Sequence, residues 1–188
     1  MSILKVARIG HPVVRGAARA VRPEEIRAAA FQRLIDDMVE TMHEYDGVGL
    51  AAPQVHVPLR LAVLEVPASD ARGREAVPLT VIVNPRLTPG EGAPVHGWEG
   101  CLSIPEMRGI VPRAPRVAVA ALDREGRPLA LEAEGFHARV LQHECDHLDG
   151  NVYLDRMADM RSLCFLHEFE RFVAAPGEDD DDEEADRG

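Results

Sequence analysis

The chain has 188 residues and a formal net charge of −11, a length that suits one domain with its own hydrophobic core. No apolar run approaches the roughly 18 residues of a membrane span, and Lys and Arg are not clustered as a nucleic-acid surface requires. We therefore expect neither a membrane anchor nor direct nucleic-acid binding. Most of the acidic excess lies in residues 178–188, which hold eight acids and one Arg.

The three cysteines are an odd and sparse set, which argues against a disulfide framework. The first residues contain no long apolar or Arg/Ser-rich leader, so we expect a cytoplasmic protein. In a reducing compartment, a functional cysteine is more often a metal ligand or a nucleophile than half of a disulfide.

The first strongly periodic segment follows Pro23. A proline and two acids in a first turn are typical of a helix start, and apolar residues then recur at helical spacing across residues 31–42. The pattern predicts an amphipathic helix that ends near His43. A loop containing Gly47 and Gly49 follows it.

The middle of the chain has the composition of β-strands. Runs rich in β-branched and apolar residues, separated by Gly, Pro and Asp, predict strands at residues 61–66, 79–83, 117–122 and 129–131. Residues 123–126, Asp-Arg-Glu-Gly, predict a hairpin turn between the last two strands.

Helical spacing returns from Phe136 to Leu148, and Gly150 suits the C-terminal end of that helix. A final helix is predicted over residues 157–173, and the acidic block beyond it is expected to be disordered by self-repulsion. These elements predict an α+β fold, with antiparallel β-sheets around a central helix and with an N-terminal and a C-terminal helix.

The sharpest chemical pattern is His143-Glu144-Cys145-Asp146-His147, within the predicted central helix. Residues four apart share one helix face, so both imidazoles can reach one metal ion. Glu144 can lie near that ion without binding it, which is where a general base for water is needed. The pattern predicts a metal site with a base beside it.

A catalytic metal site needs a third protein ligand. A carboxylate further along the chain, Glu168 or Glu170, would give a zinc protease. The alternative is Cys101, because one thiolate and two imidazoles leave a divalent cation with a net charge of about +1, enough to acidify water. Without a metal, Cys101 would be a small buried core residue.

The segment Gly47-Val48-Gly49-Leu50-Ala51-Ala52-Pro53-Gln54 could be a plain flexible loop. Gln54 favours a function, since a neutral amide donor beside a metal can hold a developing oxyanion without competing for the ion.

Together these segments resemble the peptide deformylase family. The match covers the family's three signature motifs in order, at residues 47–54, 99–103 and 142–147, and it extends over roughly residues 3–173. The resemblance implies a single catalytic domain, residues 1–174, followed by the acidic tail at residues 175–188. It also implies hydrolysis of the formyl group from the N-terminal formyl-methionine of nascent polypeptides, with release of formate.

The resemblance implies three metal ligands, one proton carrier and two oxyanion donors. These are Cys101, His143 and His147; Glu144; and the Gln54 side chain with the Leu102 backbone N–H. The implied cofactor is one divalent metal, Fe(II), for which Zn, Ni or Co can substitute.

Substrate contacts are expected from six residues of the motifs and their surroundings. Phe136, Val140 and Leu50 are candidates for a methionine pocket, Arg108 matches an Arg near the substrate channel of relatives, and the remaining two are Gly49 and Gly100. Tight space around Gly49 and Leu102 would exclude acyl groups bulkier than formyl.

Around the ligands, Glu99 is expected to pair with Arg113. Asp146, which lies beside His147 in the chain, is either an exposed helix acid or a residue that orients an imidazole. We expect a monomer that binds nascent formyl-Met peptides and has at most transient ribosome contact, because the C-terminal segment is not basic. A module that binds metal without chemistry is the remaining alternative, and Glu144 argues against it.

Overall fold

The computed structural model describes residues 2–68 and 75–174, which form two antiparallel sheets and several helices. One sheet has five strands in the order β1 (Gly49–Ala51), β2 (Leu61–Val66), β3 (Val77–Pro89), β6 (Arg116–Leu122) and β7 (Pro128–Glu134). The other has the order β4 (Val95–Cys101), β5 (Ile104–Arg113) and β8 (Cys164–Phe165). The predicted α+β class with antiparallel sheets is confirmed.

Five α-helices accompany the sheets in the described part of the chain. They are α1 (Pro12–Arg15), α2 (Pro23–Ile26), α3 (Ala29–Glu44), α4 (Gly135–Leu148) and α5 (Leu166–Phe169), with 3-10 turns at Ala52–Val55, Tyr153–Arg156 and Met160–Ser162 and a π-helical turn at Glu170–Ala174. None of the described helices combines the length and apolarity that a membrane crossing needs.

The sheet predictions hold, with longer strands in the structure. β2 has the predicted bounds, whereas β3 begins two residues before the predicted segment and ends six residues after it. The hairpin turn between β6 and β7 closes with a bond from the Asp123 N–H to the Arg127 carbonyl, and Gly126 takes the left-handed conformation that such a turn needs. The sequence pattern did not reveal β4 and β5, because their residues are mostly polar, Gly or Pro.

Two helix predictions need correction. The first predicted helix is divided into α2 and α3, because Ala28 has an extended backbone. The prediction of one helix over residues 157–173 was wrong. Asp159 caps a 3-10 turn there, and Phe165 pairs with Met107 of β5, so strand pairing overrides helical spacing until α5 begins. The predicted acidic tail lies outside the described residues.

The core lies on both faces of the five-stranded sheet. Successive side chains of a strand point to opposite faces, and β2 is buried on both: Leu61 and Val63 pack in the cluster that includes α3, whereas Ala62 and Leu64 pack in the cluster that includes α4. Helices α3 and α4 therefore belong to clusters that pack on opposite faces of the same strand, β2.

Helix α4 is held on its other side by the three-stranded sheet. The Arg139 guanidinium on α4 donates to the carbonyls of Val95 on β4 and Val111 on β5. Helix α4 therefore lies between the two sheets, as predicted for the central helix. This arrangement brings the end of β4 close to the middle of α4.

Replacing Leu64 by Ala should lower the free energy of unfolding by about 3 kcal/mol, because the side chain is fully buried between β2 and α4 and its loss leaves a cavity. Urea unfolding at fixed metal loading measures the change. Leu79→Ala on β3, where the side chain is 43% exposed, is the matched control and should cost less than about 0.5 kcal/mol. Equal costs for the two variants would contradict this account of the core.

Candidate active site

Two imidazoles and one thiol converge where β4 ends against α4. His143 and His147 lie on one face of α4 with ring centroids 5.0 Å apart, and Cys101 Sγ lies 3.2 Å from His147 Nε2. One ligand atom from each of the three residues lies within 4.8 Å of the other two. Glu168 and Glu170 are exposed on the C-terminal segment, outside this cluster.

The donor set fits a divalent cation. Glu99 bonds Nδ1 of His143 at 2.9 Å, which leaves Nε2 of that ring available for a metal. Burial opposes ionisation of the Cys101 thiol, but the imidazoles of His147 and His143 outweigh it and hold the thiol pKa well below its ordinary value. One thiolate with two imidazoles is a donor set of catalytic metal sites that keep a fourth position open.

Glu99 sits at the centre of a buried charge network. Its carboxylate accepts two bonds from Arg113, at 2.9 and 3.0 Å, and one from Arg139 at 2.8 Å, besides the bond with His143. Burial alone would raise the pKa of Glu99, but the bonds from His143 and Arg113 outweigh it and lower the pKa to about 2. The predicted pairing of Glu99 with Arg113 is confirmed.

Asp146 is placed differently from either prediction. It is buried, and it accepts bonds from Arg113 and Arg156. It therefore orients no imidazole directly. Instead it binds Nη1 of Arg113, whose Nε and Nη2 donate to Glu99. The sequence does not predict the burial of Asp146, because its partners come from other elements. Arg113 belongs to β5, and Arg156 belongs to a turn after α4.

The Glu144 side chain is buried on the same helix as His143 and His147. Its Oε2 has no hydrogen-bond partner among the described residues, and burial raises its pKa to about 7. Gly49 of β1 lies directly against it, because a Cβ at Gly49 would come within 2.2 Å of Glu144 Oε1. Only a glycine allows β1 to approach so closely.

Gln54 lies on the other side of the cluster and is 2% exposed. Its Oε1 accepts from the Ala51 N–H at 2.8 Å, which fixes the orientation of the amide. Its Nε2 then points toward Cys101 Sγ at 3.5 Å and Ser103 Oγ at 3.3 Å. The amide donor of Gln54 thus points toward the Cys101 thiol of the cluster.

These groups open into a cleft of about 1120 Å³. The structure brings most of the predicted substrate and catalytic residues to its wall, namely Gly49, Gly100, Cys101, Leu102, Arg108, Phe136, Val140, His143 and Glu144. Leu50 needs correction as a pocket residue, since its side chain is fully buried in the α3 core and Val48 lines the cleft instead.

Sequence reasoning missed several residues of the cleft wall. Trp98, Leu166 and Phe169 line one end, and the N-terminal segment at residues 5–9 lines another part. That segment is tied down by the Ala7 N–H bond to the Gln54 carbonyl. Nothing in the periodicity of these residues indicates a shared site, because they meet only through the fold.

The sequence profile of the polypeptide deformylase family matches residues 3–163. The chain belongs to this family. Peptide deformylase 2 of Pseudomonas putida is 44% identical over 158 residues, which cover 84% of this chain and 89% of that protein. Peptide deformylase 1A, chloroplastic/mitochondrial, of Arabidopsis thaliana is 43% identical over 163 residues, covering 81% of this chain and 61% of that protein.

Solved deformylase structures have the same fold. The actinonin-bound class I type b peptide deformylase of Acinetobacter baumannii superimposes with a TM-score of 0.74 at 36% identity, covering 84% of this chain and all of that one. The peptide deformylase of Thermotoga maritima gives 0.75 at 33% identity, covering 85% of this chain and all of that one. The chain is an enzyme of the deformylase family, whose members depend on a metal and remove the N-formyl group from nascent polypeptides.

Replacing Cys101 by Ala should remove most of the bound metal, because two imidazoles alone leave the cation short of its third protein ligand. Metal content per chain, measured after gel filtration, is the readout. Cys164→Ala, at a half-buried cysteine on β8 outside the cluster, is the matched control and should retain the metal. A Cys101→Ala protein with full metal content would contradict the assignment of Cys101 as a metal ligand. Loss of the metal from a Glu168→Gln protein would support the protease alternative.

Proposed function

We propose that this deformylase acts on the formyl group of N-terminal formyl-methionine through Cys101, His143 and His147 as metal ligands and Glu144 as proton carrier. One observation carries the proposal. A buried carboxylate with an unpartnered oxygen lies on the same helix as two convergent imidazoles and beside a thiol of lowered pKa. Metal binding alone does not require such a carboxylate.

We propose Fe(II) as the metal, with Zn, Ni or Co as substitutes. The thiolate and imidazole donors suit all four, so the choice of Fe(II) follows the family resemblance. A bound divalent cation would supply a Lewis acid that acidifies water and polarises the formyl carbonyl. Glu99, held by Arg113 and Arg139, would keep His143 oriented toward it.

Glu144 would move the protons of the reaction. Hydrolysis joins the oxygen of water to the formyl carbon and breaks the bond from that carbon to nitrogen, which leaves formate and a free amine. The Glu144 carboxylate would accept the proton of the attacking water and later deliver it to the departing nitrogen. Its burial and free Oε2 suit this exchange.

Gln54 and Leu102 would stabilise the charge that develops on the carbonyl oxygen. The Gln54 amide already points toward Cys101, and Leu102 follows that ligand directly in the chain. Two N–H donors that converge on an oxyanion, in a site closed to water, are an effective source of rate enhancement. The close approach of Gly49 to Glu144 would leave room on the carbonyl carbon for hydrogen and not for methyl.

Phe136 and Val140 of α4 would form an apolar pocket for the methionine side chain, since both line the cleft. The peptide backbone would run beside Gly49 and Gly100, at the cleft-facing edges of the two sheets, with Arg108 near its path. The class I type b enzyme of Acinetobacter baumannii has been crystallised with Met-Ala-Ser, a peptide of the kind that deformylation produces.

We infer one catalytic domain over residues 1–174, acting as a monomer in the cytoplasm on nascent chains, with no tight ribosome docking through its C-terminal segment. The family profile at residues 3–163 supports the domain bounds. The bacterial relatives support the location, whereas the Arabidopsis relative is a chloroplastic/mitochondrial protein.

Anaerobically purified protein should release formate from formyl-Met-Ala-Ser and contain close to one iron per chain. Formate assay and elemental analysis of the same sample provide the readouts. Acetyl-Met-Ala-Ser is the control substrate and should be hydrolysed at least about 100-fold more slowly, because one added methyl group must enter the space beside Gly49. Comparable turnover of the two peptides would refute the steric account.

Replacing Glu144 by Ala should lower kcat for formyl-Met-Ala-Ser by about 10²- to 10⁴-fold while the metal is retained, because the proton carrier is lost and the ligands are not. Glu168→Ala, an exposed acid on α5, is the matched control and should keep wild-type activity. A Glu144→Ala enzyme that binds metal and keeps full kcat would rule out the proposed role.

A further inference from the structure

The 3-10 turn at Tyr153–Arg156 is connected to the His143 imidazole in two separate ways. The first is direct, because the Tyr153 ring lies nearly parallel to the His143 ring, with centroids 6.4 Å apart and planes at 19°. Offset, nearly parallel rings at such a separation attract each other. Tyr153 is 1% exposed and belongs to the same buried apolar cluster as Cys101, which leaves its ring little room to move. The stacking therefore restrains the plane of the His143 ring.

The second connection runs through charged side chains. Arg156 donates to both oxygens of the Asp146 carboxylate, with Nη2 2.7 Å from Oδ1 and Nε 3.2 Å from each oxygen. Asp146 Oδ2 accepts from Nη1 of Arg113 at 2.5 Å, and the other nitrogens of Arg113 donate to Glu99. Glu99 in turn bonds Nδ1 of His143. Without Arg156, the nearly buried Asp146 carboxylate would keep Arg113 as its one cationic partner among the described residues, and the position of Arg113 would be less fixed.

The turn itself is fixed to the rest of the molecule. Asp155 accepts at 2.8 Å from the backbone N–H of the residue that precedes the turn, and it also accepts from Arg15 of α1. The Tyr153 ring packs against β5 at Gly109, where a Cβ would lie 3.2 Å from Tyr153 Cε2. Gly109 is the residue of β5 that pairs with Glu99 of β4. A turn held at these points can keep a neighbouring ring in one orientation.

We propose that the Tyr153–Arg156 turn positions His143 for metal binding, Tyr153 through the plane of the ring and Arg156 through the bond to Nδ1. The proposal rests on the proposed function, because it takes His143 to be a metal ligand. Residues that orient a ligand commonly change metal affinity or activity by about 10- to 100-fold when they are replaced. Neither Tyr153 nor Arg156 lines the cleft, so both act through His143 and not on the substrate.

The competing explanation is that Tyr153 only fills the apolar cluster and that Arg156 only forms an ion pair at the surface. The Tyr153 hydroxyl helps to separate the two, because it is buried and has no hydrogen-bond partner among the described residues. Tyr153→Phe therefore keeps the ring that stacks, whereas Tyr153→Leu removes the ring and keeps an apolar side chain. Val14→Ala is the matched control for lost packing, since Val14 of α1 is 1% exposed in the same cluster.

The first measurement is the affinity of the full chain for Zn²⁺, from competition with a chelator. Tyr153→Leu should bind Zn²⁺ about tenfold more weakly than the wild type, and Arg156→Gln about threefold more weakly. Tyr153→Phe and Val14→Ala should change the affinity less than about twofold. So should Arg161→Gln, which replaces a 91% exposed arginine that pairs with Asp159. Wild-type affinity in Tyr153→Leu or Arg156→Gln would overturn the role of that residue, and an equal loss in Val14→Ala would overturn the proposal as a whole.

The second measurement is the visible absorption spectrum of the Co²⁺-loaded chain, which reports the geometry of the ligands around the ion. The bands should shift in Tyr153→Leu and Arg156→Gln and should match the wild type in Tyr153→Phe. The kcat for formyl-Met-Ala-Ser should fall together with the spectral change while KM stays within about twofold, because the cleft wall is unaltered. Lower stability to urea with an unchanged spectrum would show a merely structural role and overturn the proposal. Arg156→Gln changes a side chain that is 48% exposed, so it provides the test even where Tyr153→Leu does not fold.

The third measurement needs neither turnover nor a bound metal, so it separates this proposal from the proposed function. The imidazole NMR signals of His143 in the full chain, assigned by their absence from His143→Gln, should shift in Tyr153→Leu and keep their positions in Val14→Ala. A chain that binds no Zn²⁺ or releases no formate, yet shows this response, would contradict the proposed function and leave the restraint on His143 standing. Unchanged His143 signals in Tyr153→Leu would overturn the restraint itself.

Discussion

The bond between Glu99 and His143 connects the two halves of the site, and the rest of the arrangement depends on it. His143 belongs to α4, whereas Glu99 belongs to β4, two residues before the Cys101 thiol. The bond that fixes the Glu99 carboxylate against the His143 imidazole therefore also fixes Cys101 on β4 relative to the two imidazoles on α4. A buried carboxylate is costly unless it is paired, and Arg113 and Arg139 supply that pairing.

The helical part of the site could be read from the sequence because it is local. Four-residue spacing determines that His143 and His147 share a face, and the burial of Glu144 follows from its place on a helix between two sheets. The position of Cys101 is not local. Residue chemistry left it in competition with Glu168 and Glu170, and only the ordered motifs of the family favoured it before the structure did.

Long-range contacts account for what the sequence did not predict. Asp146 has the pattern of an exposed helix acid, but Arg113 from β5 and Arg156 from a later turn make it a buried one. Likewise, the apolar spacing after residue 157 suggests a helix, yet pairing with β5 takes part of it into a strand. In both cases a partner more than ten residues away, or in another element, decides the structure.

The double burial of β2 has a consequence for how the molecule loses its structure. Because its alternate side chains belong to two different cores, neither core can open without disturbing the strand that both share. The amides of β2 should therefore exchange with solvent only in the rare openings that unfold the whole domain, and α4, which carries His143 and His147, should unfold together with α3 on the opposite face.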